Sequence, residues 1–256
     1  MIFTYKNSSV FYCDQGKGSA VVLLHGFLEN SSMWNTIAPI LARRNRVICI
    51  DLLGHGKTDT IGYLHTMEEM ADMVSCVLKS LRIRRSFFIG HSMGGYVSLA
   101  FAKKFPENTK GLCLLNSTAQ ADTQTRKNQR LHANKIAVTN YISLVRASIN
   151  NLFALSSKKI FSKEIIAITE DALQTSITGY IASNEGMRLR ENTESVLQGI
   201  SKRLIIAGEK DAVLSIESIQ QEALRTNTKL VLLPNGHMSH IEDLEVLVKV
   251  LKSFIS

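Results

Sequence analysis

Six short apolar runs, AVVLLHG, RVICID, SFFIGHS, GLCLLNS, RLIIAGE and KLVLLPN, punctuate the chain, and each stops abruptly at glycine or polar residues. A run that is apolar at every position, not at alternate ones, suits a strand buried on both faces, which is the condition of a parallel sheet covered by helices. Helical patterns lie between most of them, so the chain is restricted to an α/β, doubly wound and mostly parallel sheet of about eight strands. Two further strands come first: IFTYK and VFYCD flank Asn7-Ser8-Ser9, which is expected as the turn of an N-terminal antiparallel hairpin.

Two helices are legible in detail. Thr66 is placed to cap a helix, with Glu69 closing a capping box, and Met67, Met70, Val74, Val77, Leu78 and Leu81 follow at helical spacing. The same periodicity runs from Ile241 through Leu244, Leu247, Val248 and Leu251 to Phe254, predicting one continuous C-terminal helix. The alternation breaks only between Ala119 and Arg190, where Gln, Asn, Arg and Lys are prominent and no strand-like run occurs. Segment 119–190 is therefore expected as a helical insertion, with residues 1–118 and 191–256 forming the core domain.

Composition excludes several classes. Apolar residues make up 45% and charged residues 20%, with three prolines, which describes a globular and not a disordered chain. No apolar run approaches the roughly 18 residues that span a bilayer, and MIFTYKNSSVFYCDQGKGS lacks a basic start followed by an apolar core. A soluble, cytoplasmic protein without a membrane partner is expected. The formal charge of +8 is scattered in small groups such as Arg43-Arg44 and Lys158-Lys159, with no aromatic-interleaved stripe, so no nucleic-acid partner is expected. Cys13, Cys49, Cys76 and Cys113 form no C-x-x-C pair and read as free thiols.

The chemistry is carried by FFIGHSMGGY. In an α/β sheet, ligands collect beyond the carboxyl ends of the strands. A serine on a sharp turn between such a strand and the next helix projects its hydroxyl into that crevice, provided its neighbours are small. Gly90 and Gly94 supply that space around Ser92. A serine hydroxyl is a weak nucleophile near neutral pH and needs a base, itself held in one tautomer by an acid. Asp211 follows a late strand in RLIIAGEKD, and His237 precedes the last helix in KLVLLPNGHMSHIED, so both fall in loops at strand ends. Glu209 and His240 are the rival acid and base. The tetrahedral oxyanion needs two preorganised N–H donors; the candidates are Met93, directly after the nucleophile, and Phe27, in the turn after LLHG. His25 is expected to fix that loop through hydrogen bonds. Leu28, Tyr96 and Met238 flank the catalytic loops and are candidates for the substrate pocket.

Five blocks in order, HGFLENSSMW, DLLGHGKTD, GHSMGG, LIIAGEKD and NGHMSHIED, resemble the α/β-hydrolase superfamily over nearly the whole chain outside the insertion. The resemblance implies that the insertion is a helical cap and that residues 51–59 form a structural loop, leaving Asp51 and His55 outside the chemistry. Serine at the nucleophile position sets the chain apart from the haloalkane dehalogenases and epoxide hydrolases of that superfamily, which carry aspartate there. HGFLENSSMW is also similar to the opening block of the menaquinone-pathway synthase that eliminates pyruvate. That enzyme has a tyrosine just before the nucleophile and an arginine shortly after the elbow, where this chain has His91 and Tyr96; Arg126 or Arg130 of the insertion is then the candidate carboxylate clamp.

The expected function is that of a serine hydrolase cleaving a small or medium carboxylic ester through an acyl-enzyme, with no metal or organic cofactor. The alternative is a carbon–carbon bond hydrolase or pyruvate-eliminating lyase acting on a carboxylate-bearing substrate. A ligand-binding receptor on the same fold is a third reading, against which a complete triad argues.

Overall fold

The computed structural model describes residues 1–256. Its eight strands are β1 (Ile2–Tyr5), β2 (Ser8–Gly16), β3 (Ser19–Leu24), β4 (Asn45–Ile50), β5 (Ser86–His91), β6 (Thr109–Leu115), β7 (Arg203–Gly208) and β8 (Lys229–Leu233). They form one sheet in the order β1-β2-β4-β3-β5-β6-β7-β8. The pairs β1–β2 and β2–β4 are antiparallel and all the others parallel. The helices are α1 (Ala38–Ala42), α2 (Met67–Ser80), α3 (Met93–Lys104), α4 (Gln124–Thr139), α5 (Tyr141–Leu152), α6 (Ser162–Ala172), α7 (Ile177–Leu189), α8 (Glu194–Gly199), α9 (Ile216–Arg225), α10 (Ser239–Glu242) and α11 (Leu244–Ile255).

The apolar runs are continuous because successive residues enter different cores. Val22 and Leu24 of β3, Ile48 and Ile50 of β4 and Phe88 of β5 pack with α2, α3, α8 and α9 on one face. Val21 and Leu23, Val47 and Cys49, and Phe87 and Ile89 pack with α1 and α11 on the other. Each strand residue thus loses its water, at roughly 25 cal/mol per Å² of apolar surface.

Local readings hold with three corrections. The hairpin turn is Lys6-Asn7 alone, at φ +48° and +61°, because Tyr5 pairs with Ser8 and both Ser8 and Ser9 lie within β2. Two left-handed residues match the twist of the flanking strands better than a three-residue loop. Thr66 does cap α2, accepting from the Glu69 N–H at 3.1 Å, but the capping box is half made: the Glu69 carboxylate takes Lys6 Nζ at 2.7 Å instead of returning to Thr66. The C-terminal helix is broken at Asp243, with α10 and α11 on either side. Asn235 donates to the Asp243 carboxylate at 2.9 Å, and Glu242 gathers N–H groups from two other segments, so local periodicity yields to tertiary bonds there.

Between β6 and α8 the chain forms α4 to α7, with no strand. These helices share a small core of their own, centred on Ala137, Val145, Ile149, Ala172 and Tyr180, with Leu28 reaching into it from the loop after β3. All four cysteines are free. No helix is long and apolar enough to cross a membrane.

Candidate active site

Ser92 stands at the junction of β5 and α3 with φ 48° and ψ −114°, a conformation that ordinary residues avoid and that the surroundings must impose. The glycines show how. A Cβ on Gly90 would fall 2.3 Å from the Gly94 carbonyl oxygen, and one on Gly94 2.4 Å from the Leu24 carbonyl oxygen. The elbow is pressed between its own helix and strand β3, and only glycine leaves room. Ser92 N–H donates to Leu115 O at 3.0 Å, while its carbonyl accepts from Ser117 Oγ at 2.7 Å and from Gly95 N at 3.0 Å, so the backbone of Ser92 is fully tied.

His237 follows β8 and is buried. Its Nδ1 lies 2.6 Å from Asp211 Oδ2, its N–H donates to Leu152 O of α5 at 2.8 Å, and its carbonyl faces His91 Nε2 at 3.0 Å. Asp211 Oδ1 accepts the N–H groups of Val213 and Leu214 at 2.7 and 3.1 Å, and Oδ2 accepts Asn116 Nδ2 at 3.2 Å. Burial alone would raise the Asp211 pKa; His237, the Val213 N–H and Asn116 outweigh it and hold the carboxyl below its usual range. An ionised carboxylate on Nδ1 fixes the proton there and leaves Nε2 free as a base.

The rivals are placed elsewhere. Glu209 is exposed at the end of β7, and His240 is buried 4.0 Å from Glu29, outside the cavity. His25 accepts the Leu52 N–H on Nε2 at 2.8 Å, so its Nδ1 carries the proton and donates to Gly26 O at 2.7 Å. It pins the loop, as expected. Asp51 accepts from Ser31 N and Lys57 N and is likewise structural.

Ser92 and His237 open onto one cavity of about 360 Å³. Phe27, Leu28 and Tyr96 line it too, whereas Met238 does not. Met238 is completely buried below the loop, its N–H donating to Glu242 Oε2 at 3.2 Å; the one-residue step from His237 turns its side chain away from the pocket. The Phe27 N–H has no acceptor, and Met93, as first residue of α3, leaves its N–H without one in its own helix. Gly26 lies so close to the elbow that a Cβ there would fall 3.2 Å from Ser92 Cβ. The two loops that hold these N–H groups are therefore in contact.

Sequence reasoning named few of the residues on the helical side. Arg126, Gln129, Arg130 and Ala133 of α4, Leu144, Ser148 and Asn151 of α5, and Tyr180, Asn184 and Met187 of α7 line the cavity, each set at i, i+3 or i+4, i+7. That spacing was available as a signal, but these faces are mixed in polarity and stand out only once the facing loop is known. Glu29 and Asn116 were also missed, since their partners lie far along the chain.

A family model described as the alpha/beta hydrolase fold matches residues 19–244, and the chain belongs to that family. It is a hydrolase. A thermophilic esterase from Thermogutta terrifontis, in a malate-bound structure, superposes with a TM-score of 0.90 at 28% identity, over 97% of this chain and 95% of that one. The 2-hydroxy-6-oxo-6-(2'-aminophenyl)hexa-2,4-dienoic acid hydrolase of Metapseudomonas resinovorans is 26% identical over 96% of this chain and 87% of its own. A Bacillus subtilis protein bearing the name of a 2-succinyl-6-hydroxy-2,4-cyclohexadiene-1-carboxylate synthase is 24% identical over 95% of this chain and 93% of its own. Uncharacterised proteins of Mycobacterium bovis and Mycobacterium tuberculosis match at 38% identity over 102 residues, 40% of this chain, which covers 30% of their length.

Proposed function

We propose that the protein is a serine hydrolase of small or medium carboxylic esters. The observation that carries this reading is a strained Ser92 and an Asp211-oriented His237 opening onto one cavity of about 360 Å³ walled on its other side by α4, α5 and α7. Ser92 Oγ attacks the ester carbonyl while His237 Nε2 takes its proton, and Asp211 stabilises the imidazolium so formed. The N–H groups of Phe27 and Met93 receive the oxyanion, and each such donor contributes about 3 kcal/mol to the transition state in comparable sites. His237 then protonates the departing alcohol. Water, deprotonated by the same nitrogen, releases the acid and restores Ser92. A volume near the lower end of the roughly 300–1,000 Å³ of small-molecule sites favours short chains.

The test is the initial rate on p-nitrophenyl esters from acetate to palmitate, wild type beside Ser92→Ala. Turnover of the short esters that vanishes in Ser92→Ala supports the reading; no turnover of any ester by the wild type refutes it.

One observation favours a second reading, carbon–carbon cleavage or elimination on a carboxylate-bearing substrate. Two arginines line the cavity, but they are not equivalent. Arg130 is committed to Asp122 at 2.5 Å and to Asn184 at 2.9 Å, whereas Arg126 touches only the neutral Gln129 at 3.3 Å. Arg126 is thus the cation available to a carboxylate. Under this reading Arg126→Ala lowers kcat/KM about 10- to 100-fold for acidic substrates and leaves neutral esters unchanged, a difference read by running both substrate types on both proteins.

A further inference from the structure

We propose that Glu29 and His91 act as positioning residues, a buried carboxylate–imidazolium pair that locks together the loop after β3, the nucleophile elbow and the loop after β8. The proposal rests on the serine-hydrolase reading above and assigns a role to two residues outside its triad.

Hydrogen-bond chemistry dictates the charge state. His91 Nε2 lies 3.0 Å from the carbonyl oxygen of His237, which can only accept, so that nitrogen carries a proton. His91 Nδ1 lies 2.7 Å from Glu29 Oε2, and the same oxygen accepts the Gly26 N–H at 2.7 Å. A neutral His91 with its proton on Nε2 would set a nitrogen lone pair against a carboxylate oxygen at contact distance. A proton must lie there, and an ionised Glu29 with a doubly protonated His91 satisfies both His91 nitrogens and Glu29 Oε2, while Glu29 Oε1 faces His240 Nε2 at 4.0 Å. The electrostatics agree: burial raises Glu29 and lowers His91, but their mutual attraction wins, taking Glu29 to about 2 and His91 above its usual range. Glu29, His91 and His240 have the composition of a metal site, yet both His91 nitrogens face oxygen atoms and keep no lone pair for an ion.

The consequence is mechanical. Glu29 holds the N–H of Gly26, one residue before Phe27; His91 is the residue before Ser92; and His91 grips the carbonyl of His237. One ion pair thus fixes the spacing between the proposed oxyanion donor, nucleophile and base, where a displacement of about 1 Å costs about 10²-fold in rate. The other titratable groups facing the pair are His237 and His240, with ring centroids 5.0 and 5.5 Å from that of His91, Asp211 behind His237, and His25.

Two measurements decide the matter. Long-range 1H–15N spectra of the histidine rings at pH 8 are expected to show His91 with both nitrogens protonated in the wild type and as a neutral ring in Glu29→Gln. A neutral His91 in the wild type overturns the pair. The second measurement is the rate at which a fluorophosphonate phosphonylates Ser92 with loss of fluoride, with Ser92→Ala as the blank. Glu29→Gln is expected to slow phosphonylation about 10²-fold and, on esters, to lower kcat with KM unchanged. His91→Gln, which keeps an N–H donor toward the His237 carbonyl, is expected to recover part of what His91→Ala loses, and it serves as the test should Glu29→Gln fail to fold. A labelled wild type beside an equally fast Glu29→Gln, or an equally fast His91→Gln and His91→Ala, overturns the positioning role alone. A wild type that no phosphonate labels overturns the nucleophile and the positioning role together, while the ring spectra still report the charge.

Discussion

The sheet and the helical insertion hold their shape by different means. The sheet carries two extensive cores, one on each face, in which strand residues alternate between helices above and below. The insertion contributes only five buried apolar residues to its own cluster, completed by Leu28 from the loop after β3, and is fastened to the sheet's loops by polar anchors. Leu152 O receives the His237 N–H; the Glu242 carboxylate accepts Ala154 N together with Gly236 N and Met238 N, and also bonds Ser157; His65 N–H donates to Ala182 O. The difference separates two duties. Dense apolar packing holds the elbow in a conformation that it would not adopt alone, while a polar-anchored layer forms the opposite wall of the cavity.

The largest expected effect tests the rigid side. Asp211→Asn keeps the shape of the acid but frees the His237 tautomer, and kcat is expected to fall about 10⁴-fold with little change in KM or melting temperature. A loss confined to KM would place Asp211 in binding and not in catalysis.

Acid comes next. Six of the seven histidines are buried in the sheet and its loops, and only His132 belongs to the insertion, where it is exposed. Burial lowers His55 to about 3 and His240 to about 4, and lowers His25 also, against an ordinary value of 6.5. The unfolded chain therefore binds protons first, so this stability is present above pH 6.5 and is lost as pH falls toward 4 and 3. His91 has the opposite sign, since its raised pKa contributes fully below pH 6.5 and less at high pH. With several neutral histidines against one, the melting temperature is expected to drop by about 10 °C or more between pH 7 and 4.5. His55→Gln should flatten that slope. An unchanged slope would assign acid sensitivity to other groups.

Glu242→Ala attacks the polar seam. It leaves buried N–H groups without an acceptor, at about 1–3 kcal/mol each, and detaches the chain after α5 from the histidine loop. A lower melting temperature and a raised KM are expected together; a loss of stability with KM intact would mean that the seam does not shape the cavity. The smallest effect runs the other way. Ser92→Gly removes the side chain from a strained conformation and is expected to abolish activity while stabilising the fold by about 1 kcal/mol in denaturant titration.

Much of this was legible in the residues because it is local. Ser92 sits in a five-residue string whose glycines report backbone contact, and Thr66 announces its helix through a cap three residues from its partner. Asp211 and His237 lie 26 residues apart, but each follows an apolar run whose end marks the crevice. Met238 was misassigned because strand alternation stops at the loop, and no local rule says which way the next side chain turns. The break at Asp243 was invisible for a related reason: a periodic apolar stripe continues through it, and only the bonds made by Glu242 and Asp243 interrupt the helix.

The chain by itself therefore determined the strand series, the elbow and the placing of Ser92, Asp211 and His237 at strand ends, since these follow from hydrophobic period and from short-range steric demands. The packed structure alone decided that Glu29 meets His91 across 62 residues, that Arg130 is neutralised while Arg126 is free, and that three helices of mixed polarity turn their i, i+4, i+7 faces onto one cavity. Those outcomes depend on which buried donor finds which acceptor, and that pairing is settled by where distant segments come to rest and not by the residues beside them.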